Sequence, residues 1–149
     1  MNPLLDFSGL PRFSDIRPEH VTPAMDTLLA ENRALLERLV ADTGAPTWEN
    51  FVAPFEDANE RLSRAWGQVS HLHAVDDGPA MREAYNGNLP RITEYYADLG
   101  QNEALFAKYK ALRGDRDFAA YSSARRKVVD NELRDFRLVA PNCHRRTRH

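Results

Sequence analysis

Apolar side chains recur along this chain at helical rather than strand spacing. The clearest series is Trp48, Phe51, Phe55, Ala58, Leu62, Ala65, Val69 and Leu72. It alternates steps of three and four residues without a miss and predicts one long amphipathic helix. Thr47 stands where a side-chain oxygen can cap the first turn, and Glu49 suits the positive end of the helix dipole. At about 1.5 Å per residue, a helix over 47–74 would run roughly 42 Å. Upstream, Val21, Met25, Leu28, Leu35 and Leu39 keep a similar rhythm, broken at Asn32 and widened by Leu29, Leu36 and Val40. That helix is expected to begin near Thr22-Pro23 and to stop around Asp42-Thr43-Gly44. The short link from Gly44 to Thr47 implies that the two helices are antiparallel neighbours.

Downstream, Asp76-Asp77-Gly78-Pro79 reads as a turn that opens a third helix, with a stripe of Met81, Tyr85, Leu89, Ile92, Tyr96 and Leu99. Gly87 and Pro90 fall inside it and predict a kink, and Gly100 ends it. A short fourth helix carries Leu105, Phe106, Tyr109 and Leu112, with Gly114 in the C′ position. A fifth is expected from about Asp117 to Leu138, turning Phe118, Tyr121, Val128, Val129, Leu133 and Phe136 inward. Residues 1–18 hold Pro3, Pro11 and Pro18 between Leu4, Leu5, Phe7, Leu10, Phe13 and Ile16. Proline and its effect on the preceding residue disfavour helix there, so an extended strap against the core is predicted. No segment alternates with a period of two over any length. The fold class is therefore all-α: an antiparallel array of about four to five helices preceded by an extended strap. The strap covers 1–18, the helical domain 19–138, and a solvated or disordered tail 139–149, whose last nine residues hold no large aliphatic or aromatic side chain.

Composition adds limits rather than detail. A chain of 149 residues with 42% hydrophobic and 28% charged side chains suits one globular domain. Its apolar runs are too short to span a bilayer, and the N-terminus lacks the basic and apolar stretches of a secretory signal. Cys143 stands alone, which excludes an internal disulfide and points to a reducing, cytoplasmic compartment. Net charge is −2, unevenly spread: Arg125 to His149 carries eight Lys/Arg against three acidic residues, +5, leaving −7 on residues 1–124. A pI of 6.2 with the excess partly on a short tail argues against nucleic acid as a partner.

Candidate chemistry is sparse. His71 and His73 are two apart, which on a helix turns their imidazoles to opposite sides, so they cannot share a metal ion. His71 is read as a helix-packing residue and His73 as partly exposed. Cys143, His144 and His149 lie on unpatterned sequence with nothing to hold them as ligands, and Cys143 has no positioned base to make it a nucleophile. Asp76 and Asp77 sit at a turn, and Glu56-Asp57 on a solvated helix face. Tyr95, Tyr96, Tyr109 and Tyr121 fall at or beside the stripes and are read as core or core-edge residues. Arg125-Arg126-Lys127 are read as a solvated helix face, and the glycines form no phosphate-binding loop. By these residues no catalytic or metal-ligating position is assigned, and no substrate-binding residue is identified.

Strings of residues add a resemblance. Leu10-Pro11-x-Phe13-Ser14-x-Ile16-x-Pro18-Glu19-His20-Val21-x-Pro23-Ala24, then Thr47-Trp48-Glu49-Asn50, resemble the opening of the oligopeptidase A type within the thimet-oligopeptidase family of zinc metallopeptidases. Val69-Ser70-His71-Leu72, Arg82-Glu83-Ala84-Tyr85, Leu89-Pro90 and Val129-Asp130-Asn131-x-Leu133-Arg134-Asp135-Phe136 continue it in order. The resemblance implies an all-α fold, short peptides as substrates, and a deep channel of which these helices form one wall. It places zinc and a glutamate base on a His-Glu-x-x-His helix far downstream, where zinc-bound water would be activated. No His-Glu-x-x-His occurs in this chain, so the resemblance carries over no catalytic or zinc-binding residue, and the chain alone is expected to be inactive and free of cofactor.

The family pattern is expected to fail after Leu138, which suggests a frameshifted or truncated gene. The fifth helix would then lack its usual neighbours and fray, pair with a second copy, or contact the missing catalytic half. The alternative function is a stand-alone helical module binding a peptide or a partner helix in an apolar groove. Nucleic-acid binding ranks behind both, and no membrane association is expected.

Overall fold

The structure, a computed structural model, describes residues 1–75 and 78–143, with side chains through Phe136. Among these residues it contains five α-helices and no strand. The expected turn residues Asp76 and Asp77 lie outside the described residues, as do His144 to His149 of the expected tail.

The strap is buried near its two ends and tied to Arg64 between them. Single 3-10 turns form at Pro3–Leu5 and Phe13–Asp15. Leu4 is fully buried and Ile16 nearly so, whereas Leu10, expected against the core, is 90% exposed. Asn2 ties the first turn down, donating from Nδ2 to the His20 carbonyl at 2.8 Å. Arg64 donates to the carbonyls of Phe7 and Gly9 and lies 5.8 Å from the centre of the Phe7 ring. Those contacts satisfy strap carbonyls that no helix or sheet would otherwise reach.

Helix α1 spans Pro18–Ala41 and so begins a turn earlier than Thr22-Pro23. Pro18 takes the first helical position, where a missing N–H costs nothing, and His20 Nδ1 accepts the Arg17 N–H at 2.9 Å. Pro23 therefore lies inside the helix, near enough to its start that one lost backbone bond is tolerated. The helix stops at Ala41 as expected, with Asp42 as its cap. Thr47 caps the next element, its Oγ1 accepting the Asn50 N–H at 3.1 Å. A single π-helical turn at Trp48–Val52 then leads into α2, Ala53–Val75. This wider turn buries Phe51 and Val52 together, which strict α geometry would set 100° apart.

Helix α3 runs Pro79–Gly100 without interruption through Gly87 and Pro90. Its buried face is Met81, Asn88, Ile92 and Tyr95, so the predicted Met81 and Ile92 are buried and Tyr85 and Leu99 pack at the edge, but Leu89 is 38% and Tyr96 42% exposed. The hydrophobic reading took Leu89 and Tyr96 because they are apolar. Asn88 and Tyr95, one residue earlier, turn inward instead, where Asn88 donates to Thr22 Oγ1 and the Ala84 carbonyl and the Tyr95 hydroxyl donates to Asn59. Helix α4, Glu103–Arg113, is capped by Asn102, whose side chain accepts from Leu105 N at 3.0 Å. Gly114 closes it as the C-cap, with φ of −83°. The predicted fifth helix divides: a 3-10 turn at Arg116–Ala120 buries Phe118, and α5 follows at Ser123–Cys143. Its backbone continues beyond Leu138.

Two hydrophobic clusters result. One joins the strap, the first half of α1, the second half of α2 and α3 through Leu4, Val21, Met25, Leu28, Leu62, Val69 and Ile92. The other joins the end of α1, the π turn, the start of α2, α4 and α5 through Leu39, Phe51, Phe55, Tyr109, Leu112, Val129 and Phe136. Helices α1 and α2 pass through both, so they are the spine on which the clusters are built.

Candidate functional site

Asn32, the polar break in the first apolar stripe, is 2% exposed and central to the molecule. Its Nδ2 donates to the Ala58 carbonyl at 3.2 Å and to the Tyr95 hydroxyl at 3.3 Å. The Tyr95 hydroxyl donates in turn to Asn59 Oδ1 at 2.7 Å, and Asn59 Nδ2 donates to the Phe55 carbonyl at 2.9 Å. One network therefore couples α1, α3 and α2 across the first cluster. Burial pushes the Tyr95 hydroxyl above its ordinary pKa against the opposing hydrogen bond from Asn32.

Asn59 also faces a cavity of about 310 Å³ where α2, α3, α4 and α5 meet. Phe55, Leu99, Leu105 and Phe136 supply apolar walls, with Tyr96 at the rim. Glu56 enters from α2, Glu132 and Asp135 from α5. Glu56 and Glu132 are half-buried, so Glu56 does not sit on a solvated face as its neighbourhood in sequence suggested. Burial, then the Glu56 and Asp135 charges, push the Glu132 carboxyl up to about 7. Burial, with the Glu60 charge behind it, raises Glu56 in the same direction. Behind this wall Tyr109 is fully buried, packed against Phe55 and Phe136 at ring-centre distances of 6.4 and 6.2 Å. Its hydroxyl has no partner, and burial with the Glu132 and Glu56 charges raises its pKa far above the ordinary range.

Sequence reasoning missed this site, although a signal was present. Glu132 borders the stripe Val129, Leu133, Phe136, and Glu56 borders Phe51, Phe55, Ala58. A carboxylate on the edge of an apolar face can be carried into an interface by a neighbouring helix.

The residues weighed for metal chemistry are not brought together. His71 is exposed and packs on Phe13 at 4.9 Å, whereas His73 is half-buried and stacks on Tyr85 at 4.0 Å. The two imidazoles thus serve opposite sides of α2, and the one that packs into the helix array is His73 rather than His71. Among the described residues no group of three or more His, Cys, Asp or Glu could hold a metal ion, so these side chains do not fit the zinc implied by the resemblance. The Cys143 side chain, His144 and His149 lie outside the described residues. Of the basic run, Arg125 lies 4.8 Å from the centre of the Trp48 ring and 3.6 Å from Glu49, tying α5 to the π turn. Tyr121 accepts the Trp48 N–H through its hydroxyl at 3.1 Å. Arg126 and Lys127 are exposed. Among the described residues no helix is long and apolar enough to cross a membrane.

Comparison with known proteins identifies the family. The family model "Neurolysin/Thimet oligopeptidase, N-terminal domain" matches residues 25–143. Oligopeptidase A of Haemophilus influenzae is 44% identical over 137 residues, which cover 92% of this chain and 20% of that protein. The organellar oligopeptidase A of Arabidopsis thaliana is 33% identical over 138 residues, 93% of this chain and 17% of the relative. Dipeptidyl carboxypeptidase of Salmonella typhimurium is 29% identical over 136 residues, 87% of this chain and 20% of the relative. The chain spans about one-fifth of the length of these curated relatives. It belongs to the neurolysin/thimet oligopeptidase family and corresponds to that family's N-terminal domain.

Proposed function

We propose that this chain is the helical channel wall of an oligopeptidase A-like zinc endopeptidase: it shapes and confines the space in which short peptides are bound, and it does not break bonds itself. The observations that carry this reading are the match to the family's N-terminal domain and the 44% identity, over 92% of the chain, to one-fifth of the oligopeptidase A of Haemophilus influenzae. The metal ligands and the base belong to residues outside this chain, and zinc is the cofactor of the full-length enzyme alone. The same reading places the protein in the cytoplasm, in keeping with the name "Probable cytosolic oligopeptidase A" of a relative 34% identical over 134 residues.

Two measurements test it. The purified chain supplied with zinc should hydrolyse no short peptide. Mixed with an oligopeptidase A that lacks its own N-terminal fifth, it should restore peptide cleavage, whereas a surface-matched unrelated helical protein should not. Turnover by the isolated chain, or failure to restore cleavage when the two pieces bind, would overturn the proposal. A stand-alone interaction module predicts no recovery in the mixed experiment.

A further inference from the structure

We infer that the strap loop and the end of α2 beside it form a docking surface for the remaining part of an oligopeptidase A-type chain, with Leu10 as the anchor. Residues 6–12 make a loop whose polar groups are engaged. The Arg12 guanidinium meets the Asp6 carboxylate at 3.0 Å across its mouth, and the Ser8 N–H donates to Asp6 Oδ1 at 3.0 Å. Arg64 of α2 holds the carbonyls of Phe7 and Gly9 from behind. Pro11 fixes its own φ and narrows the backbone choices of Leu10. A loop tied at so many points has given up much of its conformational entropy, yet Leu10 is 90% exposed and buries almost nothing in return. Such a loop is preorganised for contact, because its ordering cost is met before any partner arrives.

The surface beside it is apolar as well. Arg64 stands two turns before His71 on α2, and Val75 one turn after it, so all three lie on one face of the helix. The strap runs along that face, with Gly9 at Arg64 and Phe13 packed on His71 at 4.9 Å. Phe13 is 38% and Val75 65% exposed, so with Leu10 they form a strip of exposed apolar side chains at one end of the molecule.

The shape of the strip selects its occupant. A free peptide is held in a cleft, and the cavities lined by Phe55 and Glu132, by Arg113 and Lys127, and by Thr22 and Asn88 include no residue of the strip. A protruding leucine on a rigid loop fits an apolar recess on a protein surface instead. The oligopeptidase A of Haemophilus influenzae has four-fifths of its length outside the region matched here, and that part has to meet this domain across some surface. This choice of occupant rests on the proposed function above; the held loop and the apolar strip do not.

The test is made on the full chain co-expressed with an oligopeptidase A that lacks its own N-terminal fifth, so that neither piece has to fold alone. Association is read from dissociation of the purified pair on dilution. Leu10→Ser should weaken it at least about tenfold, the scale of one leucine returned from an interface to water, and Val75→Ser should weaken it by less. Both variants should keep the thermal midpoint of the unaltered chain, since neither side chain is buried in it. Leu89→Ser, exposed on α3 outside the strip, should leave association unchanged. Full affinity in Leu10→Ser, or an equal loss in Leu89→Ser, would overturn the inference. A dimer of the chain alone that Leu10→Ser abolishes would also overturn it, assigning the strip to a second copy. Recovered cleavage with Leu10→Ser as tight as the unaltered chain would sink this inference and leave the proposed function standing. Association that depends on Leu10 but restores no cleavage would do the reverse, and no association at all would overturn both.

Discussion

The two hydrophobic clusters each bury a tyrosine completely, and the two tyrosines are treated differently. In the strap–α1–α2–α3 cluster, Tyr95 receives a hydrogen bond from Asn32 and gives one to Asn59, so three helices interlock around a satisfied polar group. In the α1–α2–α4–α5 cluster, Tyr109 is packed on three phenylalanines and its hydroxyl meets nothing. The first cluster is sealed by the strap through Leu4 and Ile16. The second opens onto a cavity with half-buried carboxylates. What the contrast teaches is confined to the two tyrosines, since Asn32 Oδ1 and Gln68 Oε1 near the first cluster also lack a partner. The same side chain, buried in both places, is satisfied by one packing and left without a partner by the other.

Core truncations should give the largest test of that contrast. Leu62→Ala, in the sealed cluster, is expected to cost about 3–5 kcal/mol in urea unfolding, because interlocked helices cannot collapse onto the void. Leu133→Ala, beside the open cavity, should cost nearer 2 kcal/mol, the lower end of the range for buried leucine. Equal losses would erase the distinction between the two clusters.

The tyrosines themselves provide a sharper pair. Tyr95→Phe should destabilise by about 1–2 kcal/mol, since it leaves the Asn59 oxygen without its donor. Tyr109→Phe should stabilise by about 1 kcal/mol, because it removes a buried hydroxyl that bonds to nothing. Opposite signs from one chemical change, read as shifts in the thermal midpoint, are the expected outcome; the same sign in both would show that Tyr109 has a partner after all.

Next in size is a pH effect confined to the second cluster. The folded-state value of Glu132 lies above its unfolded one, so the folded state binds the extra proton. This group's destabilisation is therefore absent below about pH 4.5, grows as pH rises, and is complete above about 7. Glu132→Gln should raise stability by about 1–2 kcal/mol at pH 8, after allowance for solvent screening, and by nothing measurable at pH 4.5. A pH-independent gain would trace the effect to packing instead of charge.

The smallest expected effect is at the strap. Arg64→Ala should change global stability by less than about 1 kcal/mol, the scale of exposed polar contacts. It should nevertheless speed amide exchange and proteolysis within residues 1–18, because the carbonyls of Phe7 and Gly9 lose their donor. Unchanged protection would mean that Leu4 and Asn2 hold the strap unaided.

The periodic stripes, the Thr47 cap, the turn-forming prolines and the absence of two-residue alternation determined, in the linear chain, an all-α fold with its helix order. These features act over three or four residues, so each can be read in place. The joint occurrence of several family-like strings likewise carried the family. Which of Tyr95 and Tyr96 turns inward, however, depends on an acceptor 36 residues away in Asn59. The start of α1 depends on a choice between two prolines, and the α3 stripe departs from hydrophobic spacing where Asn88 displaces Leu89. Asn32, written off as an interruption, became a link between helices because a buried amide is favourable once its partners are fixed by tertiary packing. The carboxylate cavity was decided wholly at that level: Glu56 and Glu132 are 76 positions apart, and only the meeting of α2 with α5 places their like charges in one half-buried space. Local patterns report what a residue prefers; desolvation and charge coupling report which distant residues it meets.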